Sequence, residues 1–530
     1  MTRFERRATS VRRGPVTAIA LTASLVTAAT GCTSTATPPT SPVSDDLRPI
    51  VLPDSPVSLA SEQEDTVVWP IWGGAFTPDE PVTISGRVVP GGTSASGLVV
   101  AGPGEVEERH AVELLAEDGQ WTARETDSGD MVQEMEVAGE TDEPIAVTVD
   151  DADIEITVGS AEPVVLELDS ALATGDEAVG LYAHLEPGST LDLLELGSSQ
   201  PLPTHPELGT PLRALAEERG ITIGSALDIW PPLHDIGFES MLGEQFNGAT
   251  PTEFYWATTR GEDDGWFLVP ADLSVNYATV HEQELTGMFL VWDFELPQWV
   301  MDIAATGDSE ALGDVYDEHI TTLVDRYEDS VDSWVVVNEA IWGPDDTGED
   351  EARFAETPWS DVLGEEHIER AFEVADAADP DAELIYNETG AEELGPKSDF
   401  LYDMVSDFVE RGVPIDTVGL QFHVEAANPP DMESVAQNMQ RFADLGLDVR
   451  ITELDVTIEG DSEEQLELQA DVYADVVNAC LATDACTGTT VFGFSDRYSW
   501  DELGEALPLM FTEAYEPKPA FFAVQDALDE

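Results

Sequence analysis

The chain has 530 residues, 109 of them Asp or Glu against 21 Lys or Arg, for a formal net charge of −88. A surface of that sign repels nucleic acid and anionic lipid headgroups, so neither is expected as a partner. General disorder is excluded by 42% hydrophobic residues and 12 Trp, enough for a large core.

Only two lysines occur, Lys397 and Lys518. Abundant acid with almost no Lys reads as adaptation to strong salt, which screens self-repulsion; acidic drift for solubility is the alternative.

Residues 1–31 form a targeting segment. Arg3, Arg6, Arg7, Arg12 and Arg13 precede an uncharged run from Val16 to Ala29 that is too short to anchor in a bilayer. The run ends in Ala29-Thr30-Gly31-Cys32, which resembles the lipobox of bacterial lipoproteins, with Ala29 where Leu or Val is usual. The resemblance implies lipidation of Cys32, and ordinary secretion with cleavage nearby is the alternative. Residues 32–60 then make a Thr-, Ser- and Pro-containing tether with nothing to pack. The expectation is an extracellular protein, held at the cell surface through Cys32 or released.

Residues 61–190 read as short strands, such as Val82–Val89, Ile145–Val149, Ile154–Val158 and Val164–Leu168, separated by Gly, Pro and Asp turns. The pattern predicts a β-sandwich accessory domain. Trp69, Trp72 and Trp121 are either sugar-stacking platforms or core residues.

From residue 211 to residue 530 the texture changes to apolar runs alternating with amphipathic helices. Strands are predicted at Ile221–Ala226, Gln245–Thr250, Leu285–Trp292, Ser333–Glu339, Glu383–Asn387, Thr417–His423, Val449–Glu453 and Thr490–Ser495. Helices are predicted at Leu312–Arg326, Glu365–Ala378, Ser398–Gly412, Met432–Leu445 and Ser462–Ala482. Eight strands with crossovers in about 320 residues predict an α/β fold, a (β/α)8 TIM barrel. A doubly wound sheet is disfavoured, because no Gly-rich phosphate loop follows a strand.

In such barrels the site lies at the C-terminal strand ends. The fourth run ends in Asn338-Glu339 and the seventh in Thr452-Glu453-Leu454-Asp455; the third ends in Trp292-Asp293 and the sixth in Gln421-Phe422-His423. A carboxylate at the tip of a buried strand is costly unless paired or used. Two facing carboxylates across one mouth are the machinery of glycoside hydrolysis.

The segment from Ile221 onward resembles a glycoside hydrolase family 10 catalytic domain, the endo-β-1,4-xylanase family. Trp334-Val-Val-Val-Asn338-Glu339-Ala340 is similar to that family's acid/base motif, and Ile451-Thr452-Glu453-Leu454-Asp455 to its nucleophile strand. Pro358-Trp359, Ala378-Asp379-Pro380, Asn387, Ser495-Asp496-Arg497-Tyr498-Ser499-Trp500 and Pro517-Lys518-Pro519-Ala520 follow in the family order. The resemblance implies double displacement with retention, Glu453 as nucleophile and Glu339 as acid/base, the carboxyls roughly 5–5.5 Å apart. It implies that Asn338 holds the sugar 2-hydroxyl, that His423 orients Glu453, and that Asp455 orients His423. Gln421 and Trp292 would line the site, and Trp500 would stack on sugar faces.

Cys480 and Cys486 are expected to form a disulfide, because an exported chain meets an oxidising environment. The same pair falls where many family members have a bridge. The chemistry needs no cofactor, and no clustered ligand set marks a catalytic metal.

The match breaks at the positions that grip sugars on the non-reducing side. The second-strand motif reads Phe246-Asn247-Gly-Ala-Thr250-Pro251-Thr252-Glu253-Phe254-Tyr255-Trp256, one residue short and with Tyr255 in the usual Lys place. In the third, Met288, Asp293 and Glu295 replace two His and a Gln, and Phe492 stands where Trp is usual before the eighth-strand Gly493. Asn247, Glu253, Tyr255, Asp293, Glu295 and Phe492 are therefore candidate determinants of substrate choice. The leading expectation is an endohydrolase of xylan or a related β-glycan. The alternatives are the same chemistry on another β-linked polysaccharide, or a surface glycan-binding protein without turnover.

Overall fold

The structure is a computed structural model. It describes strand segments from Arg48 onward and most of residues 82–529; among the positions outside the described residues are 1–47, 61–66, 102–109, 171–177, 230–234, 262–264, Glu295 and 500–505. The targeting segment, Cys32, Glu295 and Trp500 therefore lie outside them.

The N-terminal part is two antiparallel sheets. In spatial order one contains Arg48–Pro49, Ser189–Ser198, Val82–Gly92, Ile145–Asp150, Asp153–Val158 and Val164–Glu167, with Val57–Ala60 also beside Ser189–Ser198. The other runs Val67–Ala75, Ala178–Leu185, Ser96–Ala101, His110–Glu117, Gln120–Asp127 and Asp130–Val137. Alternating side chains such as Leu98, Val100, Ile154, Ile156, Leu181 and Leu191 fill one core between them, the period-two burial expected of a sandwich. Trp121 is 1% exposed within this core, which settles its role as packing and removes it as a stacking platform. The sandwich reaches the C-terminal domain through Phe267 and Val269, which pack against its core.

The C-terminal part contains eight parallel strands: β1 (Thr222–Leu227), β2 (Gly248–Pro251), β3 (Glu284–Gly287), β4 (Ser333–Asn338), β5 (Glu383–Glu388), β6 (Thr417–Leu420), β7 (Asp448–Thr457) and β8 (Cys486–Val491). Neighbours pair in order, and β8 pairs back onto β1, closing the barrel. β4 is buried along its whole length, as a Val-rich strand enclosed on both faces must be.

Helices cover the outside. Met432–Asp444 buries Val435, Asn438, Met439 and Phe442, the spacing of one helical face. Helix Glu463–Leu481 starts on the Ser462 hydroxyl, which accepts from Gln465 N–H. The Cys480–Cys486 disulfide joins the end of that helix to the first residue of β8, with Cα atoms 5.2 Å apart.

Candidate active site

Glu339 follows the C-terminal end of β4 and Glu453 lies near the middle of the ten-residue β7, the two sharing one mouth. Immediately after β4, Glu339 takes a φ of +55°, uncommon for a residue with a Cβ. Its N–H is held by Asn387 O at 3.0 Å. One carboxylate oxygen accepts from Gln421 Nε2 at 2.9 Å and the other from Trp292 Nε1 at 3.3 Å. Burial pushes the Glu339 carboxyl above its usual range, and the negative charge of Glu453 adds to that against the pull of its donors. A carboxyl that keeps its proton longer suits a general acid.

Glu453 is 3% exposed and has a donor on each oxygen. Asn387 Nδ2 lies 2.7 Å from Oε1, and His423 Nε2 lies 3.2 Å from Oε2. The other ring nitrogen of His423, Nδ1, is 2.8 Å from Asp455 Oδ2. Burial opposes a charge on this ring, but the Asp455 carboxylate, reinforced by its hydrogen bond and by Glu453, raises the pKa well above the usual value. The imidazolium thus donates through both nitrogens and fixes the orientation of the Glu453 carboxylate.

Asn338 is 4% exposed; its Oδ1 accepts from Asn387 and Gln421, which fixes the amide orientation. The Nδ2 of Asn338 is buried with no hydrogen-bond partner among the described residues. An unspent buried donor beside two carboxyls is a ready contact for a ligand acceptor. Asn387, absent from the sequence-derived site, ties the two halves together. Its place requires Gly419 opposite, where a Cβ would stand 2.5 Å from Asn387 Oδ1. The signal was positional: Asn387 is in register with Asn338 on β4 and Gly419 on β6.

The altered motif positions divide. Tyr255 stacks on Phe289 at 5.3 Å and 8°, both rings meet Trp292 edge-on, and Phe294 lies over Trp292 at 4.7 Å. Met288 is buried in the same cluster, and Phe492 packs beside it and edge-on to His423. Met288, Tyr255 and Phe492 thus join Phe289 and Trp292 in a largely aromatic wall beside Glu339. Asp293 is exposed on the loop after Trp292.

Glu253 is 3% exposed and turned away from the mouth, accepting from Ile229 N–H and bonded to Ser274 Oγ, each at 2.8 Å. Asn247 precedes β2, where its Oδ1 takes the Ile223 N–H at 2.7 Å and its carbonyl takes the Glu284 N–H. It sits at the starts of β1 and β3, at the opposite rim of the barrel from the two carboxylates. Neither Glu253 nor Asn247 is brought to Glu339 and Glu453.

A half-buried Glu339 and a buried Glu453 at one barrel mouth supply the two carboxyls that glycosidic bond cleavage needs. Residues 211–527 match the model of the Glycosyl hydrolase family 10. The chain belongs to that family. It is 35% identical over 328 residues to endo-1,4-beta-xylanase B of Thermotoga neapolitana, covering 60% of this chain and 92% of that enzyme. The xylanase 10B of Thermotoga petrophila RKU-1, solved with xylobiose, superposes with a TM-score of 0.56 at 36% identity, over 60% of this chain and 97% of its own. Native xylanase 10B from Thermotoga maritima gives 0.56 at 37% identity, over 60% and 98%.

Proposed function

We propose that this chain is a retaining endo-1,4-β-xylanase, exported and held at the cell surface through Cys32. Its chemistry rests above all on the contrast between Glu339, half-buried with its carboxyl shifted upward, and Glu453, buried and held between Asn387 and the charged His423. Glu453 attacks the anomeric carbon while Glu339 gives its proton to the departing glycosidic oxygen. The O–C bond breaks as the Glu453 ester forms. Water then gives a proton back to Glu339 and its oxygen displaces Glu453, so two inversions return the original configuration. The free Asn338 Nδ2 donates to the sugar 2-hydroxyl as charge develops at the ring.

Xylan is the substrate named for the related enzymes, and it is our reading here. Reducing-sugar release from xylan, mixed-linkage glucan and mannan, run across salt concentrations, tests it. Release from glucan or mannan with none from xylan would overturn the substrate. Anchoring is tested separately: the wild-type chain is expected in the detergent phase of a Triton X-114 extract, and Cys32→Ser in the medium. Wild type in the medium would remove the anchor and leave the enzyme reading intact.

A further inference from the structure

Near Glu339 lies a buried ion pair that the double-displacement chemistry does not use. Glu388 ends β5 and is 0% exposed; Lys397, in the first turn of the helix Pro396–Arg411, is 7% exposed. Lys397 Nζ is 3.1 Å from Glu388 Oε1 and 3.1 Å from Asp346 Oδ2. Burying such a pair is expensive, and an apolar pair of similar volume would serve stability as well.

Its contacts point to the acid/base. Glu388 Oε2 accepts the Ile341 N–H at 3.2 Å and the Tyr386 hydroxyl at 2.8 Å. Asp346 Oδ2 accepts the Gly343 N–H at 2.7 Å, and the Lys397 stem packs where a Gly343 Cβ would stand, 3.0 Å from Cδ. The segment that turns away from β4 just past Glu339 is therefore pinned on both sides of Trp342. Glu339 itself is pinned by Asn387, the residue before Glu388.

We propose that Glu388 and Lys397 are positioning residues for the acid/base, fixing the turn that carries Glu339 and setting the electrostatic field in which it exchanges its proton. The proposal rests on the reading of Glu339 as acid/base. The charged groups acting on Glu339 are Glu453 from β7 and Lys397 from its helix, with Gln421 and Trp292 as neutral donors, and Glu339 in turn disfavours charge on Glu388 and Tyr386 of β5. Lys397 draws the Glu339 pKa down, and repulsion between Glu388 and Glu339 favours a proton on the pair. Burial pushes the Glu388 carboxyl up to about 7, with Lys397 opposing. The two members thus act on Glu339 in opposite senses, which a merely structural pair would not do.

The test is the alkaline limb of kcat/KM for an aryl β-xylobioside with a poor leaving group, the limb on which the acid must still hold its proton. Lys397→Met removes the cation and is expected to move the limb to higher pH by about one unit. Glu388→Gln leaves the cation less opposed and moves it to lower pH by about one unit, an ordinary size for one neighbouring charge. The double variant, which buries no charge there, falls between. Folded fraction is read by circular dichroism, and if Lys397→Met does not fold, the limb of Glu388→Gln lying below that of the double variant carries the same support. Limbs coincident with wild type, or displaced in the same direction by both single changes, overturn the proposal. Glu339→Ala separates the two levels. If it keeps the wild-type limb, the acid/base reading has failed; if it abolishes the limb while the pair variants leave it unmoved, only the positioning role has.

Discussion

Asn387 Nδ2 donates to Glu453 Oε1 at 2.7 Å, so the amide near the end of β5 directly holds the carboxylate near the middle of β7. Its second N–H goes to Asn338 Oδ1 at 2.8 Å, and its Oδ1 accepts the Thr452 hydroxyl at 2.6 Å. Three of its four hydrogen-bonding positions are used, so Asn387 holds both the Glu453 carboxylate and the Asn338 amide. Asn387→Ala is expected to lower kcat by about 100-fold, the scale of losing one preorganised donor at a reacting centre. Stopped assays on soluble xylan measure it, and a rate within about threefold of wild type would remove Asn387 from the machinery.

The assignment of the two carboxylates has a stereochemical readout. Glu453→Ala is expected to lose at least about 10⁴-fold in turnover, since no other group supplies the covalent step. Azide entering the vacated space attacks the face that Glu453 used, giving a glycosyl azide of inverted configuration. Glu339→Ala keeps the nucleophile, so azide attacks the glycosyl-enzyme and gives the retained product. Proton NMR of the anomeric signal distinguishes them, and exchanged configurations would reverse the two roles.

The barrel, and the polar residues its strands carry into the mouth, are legible in the sequence because buried strands are apolar and their tips are not. Trp334-Val-Val-Val-Asn338 reads as a buried strand with a polar end, and the strand ends at Asn338, one residue short of the expectation. β8 was read four residues late, because Cys486-Thr-Gly-Thr-Thr-Val491 lacks an apolar run. Gly488 is there for closeness, since a Cβ would stand 2.8 Å from Thr222 O. β3 was read too long: it ends at Gly287, and Leu290 and Val291 rejoin Val335 and Val336 by hydrogen bonds. β2 begins at Gly248, after Gln245 has closed a helix, and that shift explains the position of Asn247. Asn387 and the Glu388–Lys397 pair escaped because their meaning depends on register and on which residue lies behind which. Neither is written in local spacing.

His423 makes stability depend on pH in a defined direction. In the folded chain its pKa lies well above the usual 6.5, so the native state holds a proton that the unfolded chain releases. The contribution is complete below about pH 6.5 and is lost as the pH rises toward the folded value. His423→Gln has no proton to hold. Urea midpoints for wild type should fall faster with pH above about 6.5 than those of the variant. Equal slopes would show that the ring is neutral in the native state.

Glu253 gives a second, independent pH signature. Burial first, then the charge of Asp228, raise its carboxyl from 4.5 to about 8 against three hydrogen bonds. Ser274 Oγ lies 2.8 Å from Glu253 Oε2 and 3.1 Å from Pro270 O, yet the hydroxyl has one hydrogen. Both contacts are satisfied together when Ser274 donates to Pro270 and a protonated Glu253 donates to Ser274. The native state therefore keeps a proton that the unfolded chain releases above about pH 4.5, so stability falls as the pH rises from there through about 8. Glu253→Gln replaces the neutral acid with a neutral amide of the same shape that also has a donor for Ser274. Its urea midpoint should stay level across this interval relative to wild type, with the difference between the two growing toward pH 8. Parallel curves from pH 5 to 8 would mean that the carboxyl is ionised in the fold and that Ser274 donates to it instead.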